Sequence, residues 1–219
     1  MCPIVLHDDV RIPPVADLDA FRHWAKSDDF PERGRYSFLN GDLWVDLMPE
    51  QLFTHNAVKM EYSAVILGLL KQTCRGRFFG DGTLFTNVEA GLSTEPDGLV
   101  VLFESLAGGR VELIEGTAEG FIEIAGTPDL VLEIVSATSV RKDTVVLRDL
   151  YWRAHVPEYW LVDARGPRLS FNILSHSAGG YVPTGPQAGW IRSEVLDQAF
   201  RLTSEPDQAG HPEFTLAVK

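Results

Sequence analysis

Two carboxylates in this chain stand where a folded protein does not put them without cause. Glu133 lies inside "PDLVLEIVS" (residues 128–136), flanked by Leu132 and Ile134, in a run that reads as the centre of a buried β-strand. A carboxylate brought into such a strand is costly unless a charge or hydrogen bonds meet it. Asp97 follows Pro96 in "TEPDGLVVLFE" (94–104), at the start of a second apolar strand. Pro96 ends the preceding hydrogen-bond ladder and fixes the backbone there. If the two strands are neighbours, the two carboxyl groups converge and repel, and a divalent cation relieves that repulsion. Hard oxygen ligands with several waters suit Mg²⁺ or Mn²⁺. A cation of that kind stabilises negative charge on a phosphate and generates hydroxide near neutral pH. The pair therefore suits phosphodiester hydrolysis. Taken alone, Glu133 reads equally well as the partner of an arginine in a structural ion pair.

The elements that must position these groups follow from periodicity and turn chemistry. Residues 1–14 read as an extended arm ending in Pro13-Pro14, and 17–29 as a short amphipathic helix with Leu18, Phe21 and Trp24 on one face. Residues 36–48 read as a hairpin around Asn40-Gly41. The longest helix is expected over 51–73, with Leu52, Val58, Ile66, Leu69 and Leu70 on its buried face. Strands are expected at 83–92 and 97–105, and a pair of strands at 110–124 around a Gly116 turn. The Glu133 strand is followed by a helix at about 141–155 and by strands at 158–164, 168–174 and 189–196. A Gly/Pro/Ser-rich loop, "SHSAGGYVPTGPQAG", lies between the last two. Non-alternating apolar strands interleaved with helices imply a mixed sheet covered on both faces.

The chain has 219 residues, 45% of them hydrophobic, enough for one α/β domain with a real core. No apolar run is long enough to span a bilayer, and "MCPIVLHDDV" lacks the pattern of a signal peptide. Cys2 and Cys74 are the only cysteines, too few for a disulfide framework, so a reducing cytoplasm is expected. Cys74 reads as a small buried hydrophobe. The net charge of −12 argues against coating nucleic acid through the overall field. It leaves room for a local basic groove. Between Arg141 and Arg168 six basic residues stand against four acidic ones, a pattern that a solvated helix face also produces.

The segment "PDLVLEIVS", followed by "RKD" and "LYWRAHVPEYWLVDAR", resembles the Uma family of putative restriction endonucleases, in the PD-(D/E)XK nuclease superfamily. The resemblance covers about residues 35–200, and "NGDLWVDLMPEQLFTHN" is similar to the family's N-terminal hairpin and the helix with a histidine that follows. It implies an α/β fold with a restriction-endonuclease-like core: a mixed central β-sheet flanked by helices, with extra β-hairpins. The chain is then one domain over 1–219, an arm and short helix at 1–34 preceding a core at 35–200. Asp97 and Glu133 become metal ligands for Mg²⁺ or Mn²⁺, and DNA the substrate of an endonuclease. Asp129, in the second "PD", reads as a strand-start residue, since four strand residues put it about 13 Å from Glu133.

The superfamily's lysine, expected two residues after Glu133, is Val135 here. In the Uma family it usually lies on the next helix, in a pattern D-x-x-x-K-x-x-x-Y. That pattern runs from Asp143 to Tyr151 here, with Leu147 at the lysine position. Lys142 is the expected substitute as the third catalytic residue, with Arg148 nearby in sequence. His55, with Lys59 and Tyr62 at helical spacing, reads either as a substrate-side group or as a packed helix-start histidine. Glu61 falls on another face, and Tyr159 and Trp160 read as core aromatics. The other histidines, at 7, 23, 155, 176 and 211, show no metal-binding spacing. Three functions remain open: a metal-dependent nuclease, a degenerate nuclease fold serving as a binding or assembly module, and a carboxylate-pair hydrolase acting, for instance, on glycosides. Apolar edge strands and five tryptophans make a homodimer an expected arrangement.

Overall fold

The structure is a computed structural model that describes residues 12–116 and 120–219. The first eleven residues of the expected arm, and three residues of the turn after Gly116, lie outside the described part.

The chain opens with helix α1 (Leu18–Ala25), whose N-cap Asp17 accepts the Ala20 N–H at 2.8 Å. Phe21 and Trp24 bury against Phe30, Tyr36 and Phe38. The hairpin β1 (Arg35–Leu39) and β2 (Asp42–Asp46) turns at Asn40 and Gly41, both at positive φ (52° and 95°), as a tight two-residue turn requires. A π-helical turn (Leu52–Ala57) leads into α2 (Val58–Thr73), then β3 (Gly76–Gly80). The expected strand at 83–92 is instead a hairpin, β4 (Leu84–Asn87) and β5 (Leu92–Thr94). The Asn87 carboxamide accepts the Ala90 N–H at 2.9 Å and closes that turn. The strand expected over 97–105 is β6 (Gly98–Leu102), and the chain turns directly into the short helix α3 (Phe103–Ala107). Strands β7 (Val111–Glu115), β8 (Phe121–Gly126) and β9 (Leu130–Ile134) follow.

A second π turn (Lys142–Leu147) opens α4 (Arg148–Arg153), and then come β10 (Glu158–Asp163) and β11 (Ser170–Ser177). The Gly/Pro/Ser-rich stretch read as loop contains the end of β11 and a partner for it, β12 (Gly180–Pro183). Gly180, at φ 125°, lets the chain reverse there. The chain ends in β13 (Ile191–Ser193), β14 (Gln198–Pro206) and β15 (Pro212–Val218).

These strands form two six-stranded mixed sheets and one of three strands. The first sheet runs β2-β1-β5-β4-β8-β7 and the second β12-β11-β10-β9-β6-β3. Each has one parallel pair, β4 with β8 and β9 with β10. The architecture is the expected mixed α/β one, with the strands divided over two large sheets and few helices. The second sheet sits at the centre. Leu130, Leu132 and Ile134 point to one face, packed by α2 and by Phe200, Phe214 and Leu216 of the three-stranded sheet. Val131, with Leu99 and Val101 of β6, points to the other, packed by Leu147, Leu150 and Tyr151 and by Leu39, Phe85 and Leu92 of the first sheet. Tyr159 and Trp160, adjacent on β10, are fully buried on opposite faces.

Two expectations about single residues fail. Cys74 is exposed, not buried, because it ends α2 in a left-handed conformation (φ 50°) that carries it out of the helix. Leu52 is 71% exposed: the π turn adds a residue to the first turn and rotates it off the face that Val58, Ile66 and Leu70 bury.

Candidate active site

The site grows from the pairing of β6 with β9. Gly98 pairs with Leu132 and Leu99 with Val131, antiparallel. Continued by one residue, that register sets Asp97 opposite Glu133, and strand alternation turns both toward the face that carries Leu99 and Val131. The strands therefore bring the two sequence-derived carboxylates together. Asp97 Oδ2 also accepts the Ile134 N–H at 2.8 Å, which locks its carboxylate onto the β9 backbone. Gly98 is required here, since a Cβ at that position would meet the Phe78 ring at 2.5 Å. Asp97 and Glu133 are 5% and 2% exposed and line a small cavity of about 10 Å³, room for about one water or ion.

Three other segments converge on this cavity. The π turn before α2 delivers His55, whose Nε2 lies 3.4 Å from Asp97 Oδ2 and whose Nδ1 lies 3.5 Å from Glu50 Oε2. His55 is buried, and its Nδ1 has no hydrogen-bond partner. One turn on, buried Lys59 bonds Glu50 and Asp81 and stands 3.9 Å from Asp97 Oδ1. From β1, Arg35 bonds Glu50 and lies 3.9 Å from Asp97 Oδ1. The second π turn delivers Lys142 and Asp143 to the cavity wall. Lys142 Nζ is 3.8 Å from Asp143 Oδ1, an oxygen that is buried and has no hydrogen-bond partner. Ser139 donates to the other oxygen of Asp143. Both side-chain-bearing turns are π-helical, a geometry that recurs where a helix must aim polar groups at a site.

Burial and charge divide the carboxylates. Burial pushes Asp97 upward, but the hydrogen bond and charge of His55, the Ile134 N–H and Arg35 outweigh it and hold its carboxyl below the usual range. Glu133 goes the other way: burial, with Asp143 and Asp97 adding, raises it well above the ordinary value against the opposing pull of Lys142 and Tyr151. Burial pushes Asp143 up to about 6, again against Lys142. Lys142 loses to burial but gains more from Glu133, Asp143 and Asp97, so its ammonium is held charged.

Other sequence-derived candidates fall outside the cavity. Asp129 accepts the Leu102 N–H at 2.7 Å and the Ser105 hydroxyl at 2.8 Å and pairs with Arg110, so it ties β9 to α3. Glu61 accepts the Leu216 N–H at 2.8 Å and anchors β15. Leu147 is fully buried in the apolar cluster with Val131, Tyr151 and Tyr159. Arg148 turns away to the Tyr181 carbonyl at 3.1 Å.

Glu50 was not singled out from sequence, and no local pattern marks it. Among the described residues, Glu50, His55 and Asp97 form the one group of three with ligand atoms all within 4.8 Å of each other. Glu50 is already met by two cations, Arg35 and Lys59. Asp97 thus has potential metal-ligand neighbours on two sides, Glu133 across the strand pair and Glu50 with His55 beyond.

A family model described as "Putative restriction endonuclease" (Uma2) matches residues 18–205. Among solved structures, the fold is similar to the crystal structure of a putative nuclease belonging to DUF820 from Anabaena variabilis. That comparison gives a TM-score of 0.61 at 18% identity, covering 84% of this chain and 92% of that one. No curated protein matches the chain. Among the described residues, no helix is long and apolar enough to cross a membrane. With a match that runs from α1 to the end of β14, the chain belongs to the Uma2 family of putative restriction endonucleases.

Proposed function

We propose that the protein is a divalent-metal-dependent endonuclease that hydrolyses DNA phosphodiester bonds, with Asp97 and Glu133 as ligands of Mg²⁺ or Mn²⁺ and Lys142 as the charge-stabilising residue. The observation that carries this reading is the opposition of Asp97 and Glu133 across β6 and β9, in a cavity that Lys142 also lines. The donors fit a hard cation: several carboxylate oxygens, one imidazole, and two buried polar atoms, His55 Nδ1 and Asp143 Oδ1, with no hydrogen-bond partner. When bound, the cation would polarise a phosphate oxygen and acidify a water.

The rest is the work of the chain. Asp97 is kept ionised by His55 and Arg35 and fixed by the Ile134 N–H, so it presents a ready oxygen. Glu133 is oriented by the Tyr151 hydroxyl at 2.6 Å and would hold the cation in its ionised form. The Lys142 ammonium, held charged by Glu133, Asp143 and Asp97 and 3.8 Å from Asp143, is placed to meet charge developing on a phosphate. The exposed free thiol of Cys74 suits a reducing cytoplasm. A homodimer would set two such sites on one substrate.

A second reading, a catalytically inert nuclease fold that binds or assembles, is favoured by one observation: Leu147, at the family's lysine position, is packed into the core. Incubating single- and double-stranded DNA with the protein in Mg²⁺ or Mn²⁺ separates the two. Cleavage that disappears with EDTA and in Glu133→Gln is expected. Intact DNA under every condition would leave the binding module.

A further inference from the structure

The cavity adjoins a second, larger space whose walls differ in character. Strands β1 and β2 pair Ser37 with Trp44 and Arg35 with Asp46. These four side chains share one face of the hairpin, opposite the one that packs Tyr36 and Phe38 against α1. With Thr138, Ser139 and Lys142 they line a groove of about 500 Å³ that shares Arg35, Asp46, Ser139 and Lys142 with the carboxylate cavity. The two spaces therefore adjoin, with these four side chains as their common wall. The Thr138 hydroxyl donates to Asp46 at 2.8 Å and ties the walls together. Trp44 packs partly against the core, and the Arg141 guanidinium lies over its ring, 5.9 Å from the centroid. Beyond it Val45, Leu47 and Met48 are exposed.

We propose that this groove holds a single-stranded DNA segment, with a base stacked on Trp44 beside Arg141 and the adjoining phosphate directed by Arg35 and Lys142 into the carboxylate cavity. An aromatic face alongside cationic side chains is the chemistry that binds single strands without reading sequence. Arg35 and Lys142 on the groove wall, with Arg141 beside Trp44, place cationic side chains where a phosphate backbone would run, in a chain that is acidic overall at −12. Asp46, the groove's acidic member, has its carboxylate engaged by Thr138 and the Met48 N–H. The recess makes the choice between strand types. Asp97 and Glu133 are 5% and 2% exposed, so a phosphate reaches them only if its backbone bends into the cavity. A duplex has a persistence length of about 50 nm and resists such a bend, whereas a single strand does not.

This inference rests on the nuclease reading for its ligand, but the two are scored separately, that one by cleavage and this one by binding. The probe is a fluorescein-labelled oligothymidylate, compared with a hairpin duplex of equal nucleotide count. Anisotropy is read on the Glu133→Gln chain in Mg²⁺. The single strand is expected to bind at least 10-fold more tightly than the duplex. Trp44→Leu, which keeps an apolar side chain on the core, should weaken it by about 10-fold or more, as removing one stacking ring does elsewhere. Trp44→Phe should restore most of that loss, and Arg141→Gln should lower the salt dependence of binding. Duplex binding as tight as single-strand binding, no measurable binding of the single strand, or a Trp44→Leu chain that binds like its parent would each overturn the proposal, whether or not the wild type cuts DNA.

Discussion

The Tyr151 hydroxyl donates to Glu133 Oε1 at 2.6 Å, the only hydrogen bond to the Glu133 side chain among the described residues. It joins α4 to the centre of the main sheet and favours the ionised form of a carboxyl that burial pushes toward its protonated form. Removing it in Tyr151→Phe should raise the Glu133 pKa further. The pH at which Mn²⁺ affinity is half-maximal should then move upward, by about one unit for a bond worth roughly 1.4 kcal/mol. Calorimetric titrations across pH check this. A profile that superimposes on wild type would mean that Tyr151 only packs.

The metal-free protein should lose stability as pH rises from about 4 to 7. Asp143 is raised to about 6 and Glu133 lies well above its ordinary value. In that window the folded chain holds protons that the unfolded chain has released, so rising pH favours unfolding. Asp97, held below the usual range, contributes the opposite slope only at more acid pH, where its folded form titrates. Urea midpoints in EDTA should fall between pH 4.5 and 7.5, and Asp143→Asn should flatten the decline. A midpoint that rises across this range would contradict the burial argument.

Much of this site was legible in the sequence because its two central residues break a local rule. A carboxylate inside "LVLEIV", and another after a proline that starts an apolar strand, are visible without coordinates, but that they share a face follows only from the pairing of β6 with β9. The rest was hidden for physical reasons. Glu50 sits in a loop and joins the site only through Arg35, Lys59 and the π turn that aims His55. A π turn has no sequence signature comparable to an N-cap, so helical spacing misjudged Leu52. The division of strands into two sheets depends on which edges pair, and hydrophobic runs do not specify that.

Position 147, at the end of the second π turn, faces the core. On an ideal helix Asp143, Leu147 and Tyr151 share a face, and a lysine at 147 would be aimed at the carboxylates. Here Leu147 has no exposed surface and packs in the core. Leu147→Lys should therefore destabilise the protein by roughly 3 kcal/mol or more, through a buried, unpaired ammonium, instead of restoring a catalytic lysine. Thermal melts test this; an unchanged Tm with increased cleavage would show that the side chain reaches the cavity after all.

In the proposed mechanism Lys142 bears the function that position 147 lacks. Lys142→Ala should lower metal-dependent cleavage by about 100-fold or more, the scale of losing one charge-stabilising group, while leaving the fold intact. Single-turnover rates on a labelled strand measure it. A Lys142→Ala chain that cuts at the wild-type rate would remove the lysine from the mechanism.

Asp129 supplies a control on the opposite end of β9. Its bonds to the Leu102 N–H, Ser105 and Arg110 are structural. Asp129→Ala should cost about 2–3 kcal/mol by stranding a buried N–H and an arginine, with Mn²⁺ affinity unchanged in the folded fraction. Loss of metal binding without loss of stability would place Asp129 in the site.

The central claim is that Asp97 and Glu133 hold a divalent cation between them. Mn²⁺ titration followed by electron paramagnetic resonance, on wild type and on Asp97→Asn, Glu133→Gln, Glu50→Gln and Lys142→Ala, tests it most directly. Binding should be lost in the first two variants and kept in the last two, since Glu50 is occupied by Arg35 and Lys59 and Lys142 is no ligand. Binding that survives Glu133→Gln and disappears in Glu50→Gln would move the cation to the far side of Asp97 and contradict the account.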